Sequence, residues 1–137
     1  MYDLQRVGKI IADIKKYLGE LDSYKIKSSS DLADSKTYNA AAMVLFAVLN
    51  RAIDLGGEII AAENLGAPSR YQDIMLILSK AGIMNKEMAD RINNVIKKRN
   101  MLAHFYGDIT EKELFGVIKD ISIIEKFVEI VKKRAKF

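Results

Sequence analysis

The chain has 137 residues, no cysteine, one histidine and a formal net charge of +4. That length predicts one domain, 1–137, able to build a core without staples, and the missing cysteines exclude disulfides and thiolate metal sites. The mildly basic balance, with a pI near 9.2, fits an anionic partner such as RNA.

The opening, MYDLQRVGKI, has no apolar signal core behind a basic head. The longest apolar run, Ala40 to Leu49, is too short to span a bilayer. A soluble, cytoplasmic protein without a membrane partner is expected. Leu4, Val7, Ile11, Ile14, Leu18 and Leu21 recur at steps of three and four, so the first helix carries one apolar stripe. Residues 23–37 are serine-rich and polar, a loop with room for one helical turn. The second helix is expected from Tyr38 to Asn64. One stripe on it is Ala41, Leu45, Val48, Ala52, Leu55 and Ile59; another is Met43, Phe46, Ile53 and Ile60. A helix apolar on two sides is central in its fold or covered again by a second copy. Asn50, Asp54 and Glu58 form its polar face.

Ser69 and Gln72 have the spacing of a capping box opening a helix over 70–81, with Gly82 as its stop. Asn85 caps the next helix, which turns Met88, Ala89, Ile92, Val95 and Ile96 inward, and Gly107 marks a break. Thr110 to Glu113 is a second capping box. One last helix then carries Leu114, Val117, Ile118, Ile121, Ile124, Val128 and Val131. The architecture predicted is an all-α, mostly antiparallel bundle of four to five helices. Acidic pairs such as Glu111/Glu113 and Glu125/Glu129, and the basic run from Lys132 to Lys136, read as solvated helix faces and ends.

The polar residues of KKRNMLAHFYGDI, residues 97–109, do not fit that pattern. Continuing the stripe of Ile92, Val95 and Ile96 by seven residues reaches Arg99, and seven more reach Tyr106. An unpaired buried cation is expensive, so Arg99 needs a partner or a cleft; Asp54 on the second helix is a candidate partner. His104 falls about 140° from Arg99 on an ideal helix. The two meet at one ligand if the helix breaks between them, if long side chains converge, or if two copies face each other across a dimer. The plainer alternative is a histidine capping helix carbonyls beside an Arg99–Asp54 pair. One histidine without cysteine argues against a metal site.

RNMLAHFY resembles the R-x4-6-H signature of the HEPN superfamily of small helical ribonucleases, and with Tyr106 the R-x4-H-x-Y form of its HepT toxins. AIDLGGEII (52–60) and APSRYQDIMLILSKAGIM (67–84) are similar to the family's second helix and following segment. The resemblance spans about Tyr38 to Val131. It implies a homodimeric, metal-independent RNase without a cofactor. Such a protein would be the toxin of a type VII toxin–antitoxin pair, partnered by an MntA-type minimal nucleotidyltransferase that attaches AMP to the motif tyrosine, here Tyr106. His104 then serves as acid/base and Arg99 as the stabiliser of phosphorane charge, with Asn100 and Asp54 in support. The competing class is a non-catalytic HEPN module that binds a nucleotide or docks the nucleotidyltransferase.

Overall fold

The computed structural model describes residues 1–104 and 108–137, and among these the secondary structure is entirely helical. The described residues form seven α-helices: α1 (Leu4–Ser23), α2 (Ser35–Glu63), α3 (Ile74–Lys80), α4 (Lys86–Ile96), α5 (Lys98–His104), α6 (Glu111–Asp120) and α7 (Ile123–Arg134). Single 3₁₀ turns at Ser29–Ala33 and Tyr71–Asp73 precede α2 and α3. The first of these is the helical turn foreseen within the polar loop.

α2 is the spine. All six residues of its first stripe, Ala41 to Ile59, are 0 % exposed, so the helix is buried along its length. It begins three residues earlier than expected, because Asp34 accepts from the Thr37 amide at 3.0 Å and satisfies one of the first-turn N–H groups. It ends on Asn64 in the left-handed conformation (φ 54°), with the Leu65 amide reaching back to the Ile60 carbonyl. Of the second stripe, Ile60 is buried and Phe46 and Ile53 are half-buried, while Met43 is 74 % exposed.

Cross-helix partners define the directions. Met1 pairs with Ala62, Arg6 with Glu58 and Asp13 with Arg51, so α1 runs antiparallel to α2. Phe127 lies level with Gly56 and Arg134 with Glu63, so α7 runs parallel to α2. Leu4 departs from the first stripe: it opens α1 at the edge of the bundle and is half-exposed.

Of three further boundaries, two differ from those read in the sequence. Ser69 and Gln72 form no capping box; Arg70 takes the N-cap position without a side-chain bond, and the first turn is 3₁₀. The stop at Gly82 is as expected: at φ +78° it lets the Gly82 and Ile83 amides reach the Ser79 and Leu78 carbonyls. The expected last helix is two, joined by a tight turn in which the Ile124 and Glu125 amides bond to Ile121 and Ser122 three residues back. From Leu114 to Phe127 the apolar positions average fewer than 3.6 residues per step. A straight α-helix would leave these two residues about 140° apart, and the tight turn brings both into the core.

The adjacent glycines of α2 have opposite surroundings. A Cβ on Gly56 would sit 2.5 Å from Ile74 Cγ2 and 3.3 Å from Met75 Cε, whereas a Cβ on Gly57 meets nothing within 4 Å. Gly56→Ala is therefore expected to destabilise by about 1–3 kcal/mol through overpacking, despite alanine's better helix propensity. Gly57→Ala should stabilise by up to about 1 kcal/mol. Thermal melting of the two variants checks the opposite signs.

At the end of α2, Glu63 accepts two bonds from Arg134, at 2.7 and 2.8 Å, and a third from the Tyr2 hydroxyl. The Arg134 guanidinium, ahead of the other contacts, pulls the Glu63 carboxyl from the ordinary 4.5 to about 2. Because the folded value lies below the unfolded one, this stabilisation is complete above about pH 4.5 and is lost as pH falls toward 2. Arg134 is exposed to solvent, which screens the pair and keeps its contribution to stability small. The melting temperature of Glu63→Gln should fall below wild type at pH 7 and converge on it as pH approaches 2.

Candidate functional site

The helix expected from Asn85 onward is interrupted at Lys97. Asn85 caps α4 as foreseen, accepting from the Met88 amide at 2.8 Å. Lys97 closes α4, and a new seven-residue helix, α5, holds both Arg99 and His104. The break comes before Arg99, so the first of the three arrangements open in the sequence, a break between Arg99 and His104, is removed. They stand on one helix, about 7.5 Å apart along its axis. Leu102, buried between them, fixes α5 on the core.

Arg99 is half-buried against α2 and the turn before α3. Its guanidinium carbon lies 5.4 Å from the centroid of the Phe46 ring and 5.7 Å from that of Tyr71, distances at which a cation is attracted by the ring face. Its Nε donates to Asn50 Oδ1 at 2.8 Å and one terminal nitrogen to Asn100 Oδ1 at 3.1 Å. Asn100 is thus a direct hydrogen-bond partner of Arg99. Among the described residues Arg99 forms no ion pair.

The Asp54–Arg99 pair foreseen on charge grounds is not formed. Arg99 takes Asn50, one turn earlier on the same face of α2. Asp54 is held by Arg51 at 3.1 Å, and Arg51 also grips Asp13 at 2.7 Å, which in turn binds Lys9. Lys9 and then Arg51 keep the Asp13 carboxyl below its ordinary range, despite opposing desolvation. These charges tie α1 to α2.

The consequence for chemistry is direct. A guanidinium oriented by two amides and two rings keeps its whole positive charge while losing its freedom to rotate. It remains able to donate bidentately to a phosphate. His104 is exposed at the end of α5. Tyr106 and the break foreseen at Gly107 lie outside the described residues. On the far side of that segment, the Tyr38 hydroxyl donates to the Ile109 carbonyl and ties the chain to α2.

Phe46, Asn50 and Tyr71 were not foreseen as parts of this site. Asn50 carried a usable signal, a neutral acceptor on the polar face of an apolar helix. Tyr71 is 28 positions from Arg99, and no local spacing reports that proximity.

Among the described residues no group of three or more His, Asp or Glu side chains is arranged to hold a metal ion, and no helix is long and apolar enough to cross a membrane.

A family model described as HepT-like ribonuclease matches residues 9–132. No curated protein matches the sequence. Solved structures share the fold. The cytosolic protein of unknown function YutE from Bacillus subtilis aligns with a TM-score of 0.83 at 20% identity, over 98% of this chain and 92% of that one. A toxin–antitoxin structure with AMP-PNP gives 0.84 at 19% identity, over 96% and 100%. The tri-AMPylated Shewanella oneidensis HEPN toxin, in complex with an MNT antitoxin, gives 0.80 at 20% identity, over 97% and 99%. With the family model covering most of its length, the chain belongs to the HepT-like ribonuclease family.

Proposed function

We propose that the protein is a metal-independent endoribonuclease acting as the toxin of a toxin–antitoxin pair. The observation that carries this reading is Arg99, a cation fixed by neutral neighbours on the same short helix as an exposed histidine. RNA supplies its own nucleophile. The 2′-oxygen attacks phosphorus, the P–O5′ bond breaks, and the products end in a 2′,3′-cyclic phosphate and a 5′-hydroxyl. His104 takes the proton of the 2′-hydroxyl as general base. Arg99 donates to the non-bridging oxygens, whose charge grows in the transition state. The proton that O5′ needs comes from a protonated histidine, and with one histidine per chain a two-histidine mechanism draws the second from a second copy.

The functional unit in this reading is a homodimer of 1–137 single-domain chains in the cytoplasm. Exposed Met43 and half-buried Phe46 and Ile53 on α2 support a second copy covering that face. Asn100 and Asn50 orient Arg99, and Asp54 supports from one step back by holding Arg51 beside Asn50. The partner is a nucleotidyltransferase antitoxin of the MntA type, which silences the toxin by transferring AMP from ATP to Tyr106: the phenol oxygen bonds to the α-phosphorus, the bond to the β-phosphate breaks, and pyrophosphate leaves. The structural relatives described as toxin–antitoxin complexes and as an AMPylated toxin support that assignment.

One experiment tests the reading in two arms. RNA incubated with the protein in EDTA should be cut to cyclic-phosphate ends, and an absolute Mg²⁺ requirement would refute the mechanism. Addition of the antitoxin and ATP should stop cleavage and add one or more AMP masses at Tyr106. An adduct elsewhere, or equal labelling of Tyr106→Phe, removes Tyr106 from this role.

A further inference from the structure

A groove of about 440 Å³ runs between α3 and α4, and its walls include Arg70, Lys86, Lys97 and Asn93. Two carboxylates, Asp73 and Asp90, also line it. Asp73 is engaged by Arg70 at 3.3 Å.

Two features mark this groove. First, the chain on each of its walls runs on to the Arg99 site. Arg70 adjoins Tyr71, whose ring faces the Arg99 guanidinium, and Lys97 stands two residues before Arg99. Second, Asn93 Oδ1 is buried and accepts no hydrogen bond from the described residues. A buried acceptor without a donor is costly, and a ligand bearing a hydroxyl or amino group relieves that cost. Cations for a phosphate and an acceptor for a hydroxyl are the two requirements of a ribose-phosphate unit. A basic groove leading from an aromatic–guanidinium stack is also how single-stranded nucleic acid is tracked.

We propose that the α3–α4 groove binds the ribose-phosphate next to the scissile one, with Lys97 meeting its phosphate, Asn93 its 2′-hydroxyl, and Lys86, at the other end of α4, a phosphate further along the strand. The inference rests on the ribonuclease reading and extends the substrate from one phosphate to an extended single strand. The Asn93 contact makes the groove prefer RNA to DNA, because only RNA offers the 2′-hydroxyl.

The test uses a fluorescein-labelled, mixed-sequence RNA 12-mer and the full chain carrying His104→Ala, so that binding is read without cleavage. Affinity is measured by anisotropy from 50 to 200 mM salt. Adding Lys86→Gln and Lys97→Gln should weaken binding and lower the slope of log K against log salt by about 1.4, two contacts at about 0.7 each for a single strand. Removing the same charge at Lys15 and Lys25, which line other clefts, should leave the slope unchanged. Asn93→Leu should narrow the preference for RNA over the DNA 12-mer.

With His104 intact, the Lys86→Gln/Lys97→Gln chain should cleave the dinucleotide UpA at the wild-type rate and the 12-mer more slowly. Equal slopes for the two lysine pairs, or equal slowing on UpA and the 12-mer, would overturn the proposal. If wild type cleaves RNA but the groove variants bind normally, the groove fails alone. If the protein neither binds nor cuts RNA, both readings fall.

Discussion

His104→Ala is expected to fold normally and to cut RNA about 10²–10⁴-fold more slowly, the usual worth of a positioned proton-transfer group. The side chain is exposed at the last turn of α5, so its removal leaves no core cavity and the melting temperature should move little. Binding of uncut RNA should survive, since Arg99 and its neighbours remain in place. The loss should therefore appear in kcat with KM nearly unchanged, the pattern of an interaction made mainly in the transition state. A folded His104→Ala chain cutting at the wild-type rate would end the acid/base assignment.

Arg99→Lys should lower cleavage by about 10²–10³-fold, comparable to the loss of one oxyanion donor elsewhere, although the charge is kept. An ammonium on a flexible stem cannot stack between Phe46 and Tyr71, hold Asn50 and still offer two parallel donors to a phosphate. Arg99→Ala should lose at least as much. Full activity in Arg99→Lys would show that charge alone suffices and that the aromatic and amide contacts are incidental. Mixing inactive Arg99→Ala and His104→Ala chains adds a second reading: partial recovery is expected if one site draws its arginine and histidine from different copies.

The long stripes of α1 and α2 were legible because burial on one side imposes a helical period over many residues. The interruptions at Lys97 and at Ile121–Ser122 were not. All three residues keep right-handed helical angles, with φ from −65° to −58° and ψ from −24° to −21°. Those breaks are small changes of ψ with no glycine or proline to announce them.

The place of Arg99 on the apolar line made its need for a partner legible, and Asp54 lies on the face of α2 that supplies one. Opposite charge points to Asp54 only while a competing arginine is left out of account. Arg51 is that competitor. Tyr71 depends on how the turn before α3 lies against α5, which is tertiary information.

The neutral surroundings of Arg99 bear on how such an activity is controlled. An arginine neutralised by an internal carboxylate has a resting state: the pair must open before an outside anion can enter. Arg99 has no ion-pair partner among the described residues, so no internal exchange of partners stands between the folded chain and a phosphate. A switch built this way lacks its own off position. In the proposed reading silence comes from outside, by an anion that arrives and stays, and a covalently attached nucleotide monophosphate would carry that charge without the dissociation of a freely bound one. In the proposed reading the activity and its restraint belong to two molecules, and the second brings the anion that the described surroundings of Arg99 do not supply.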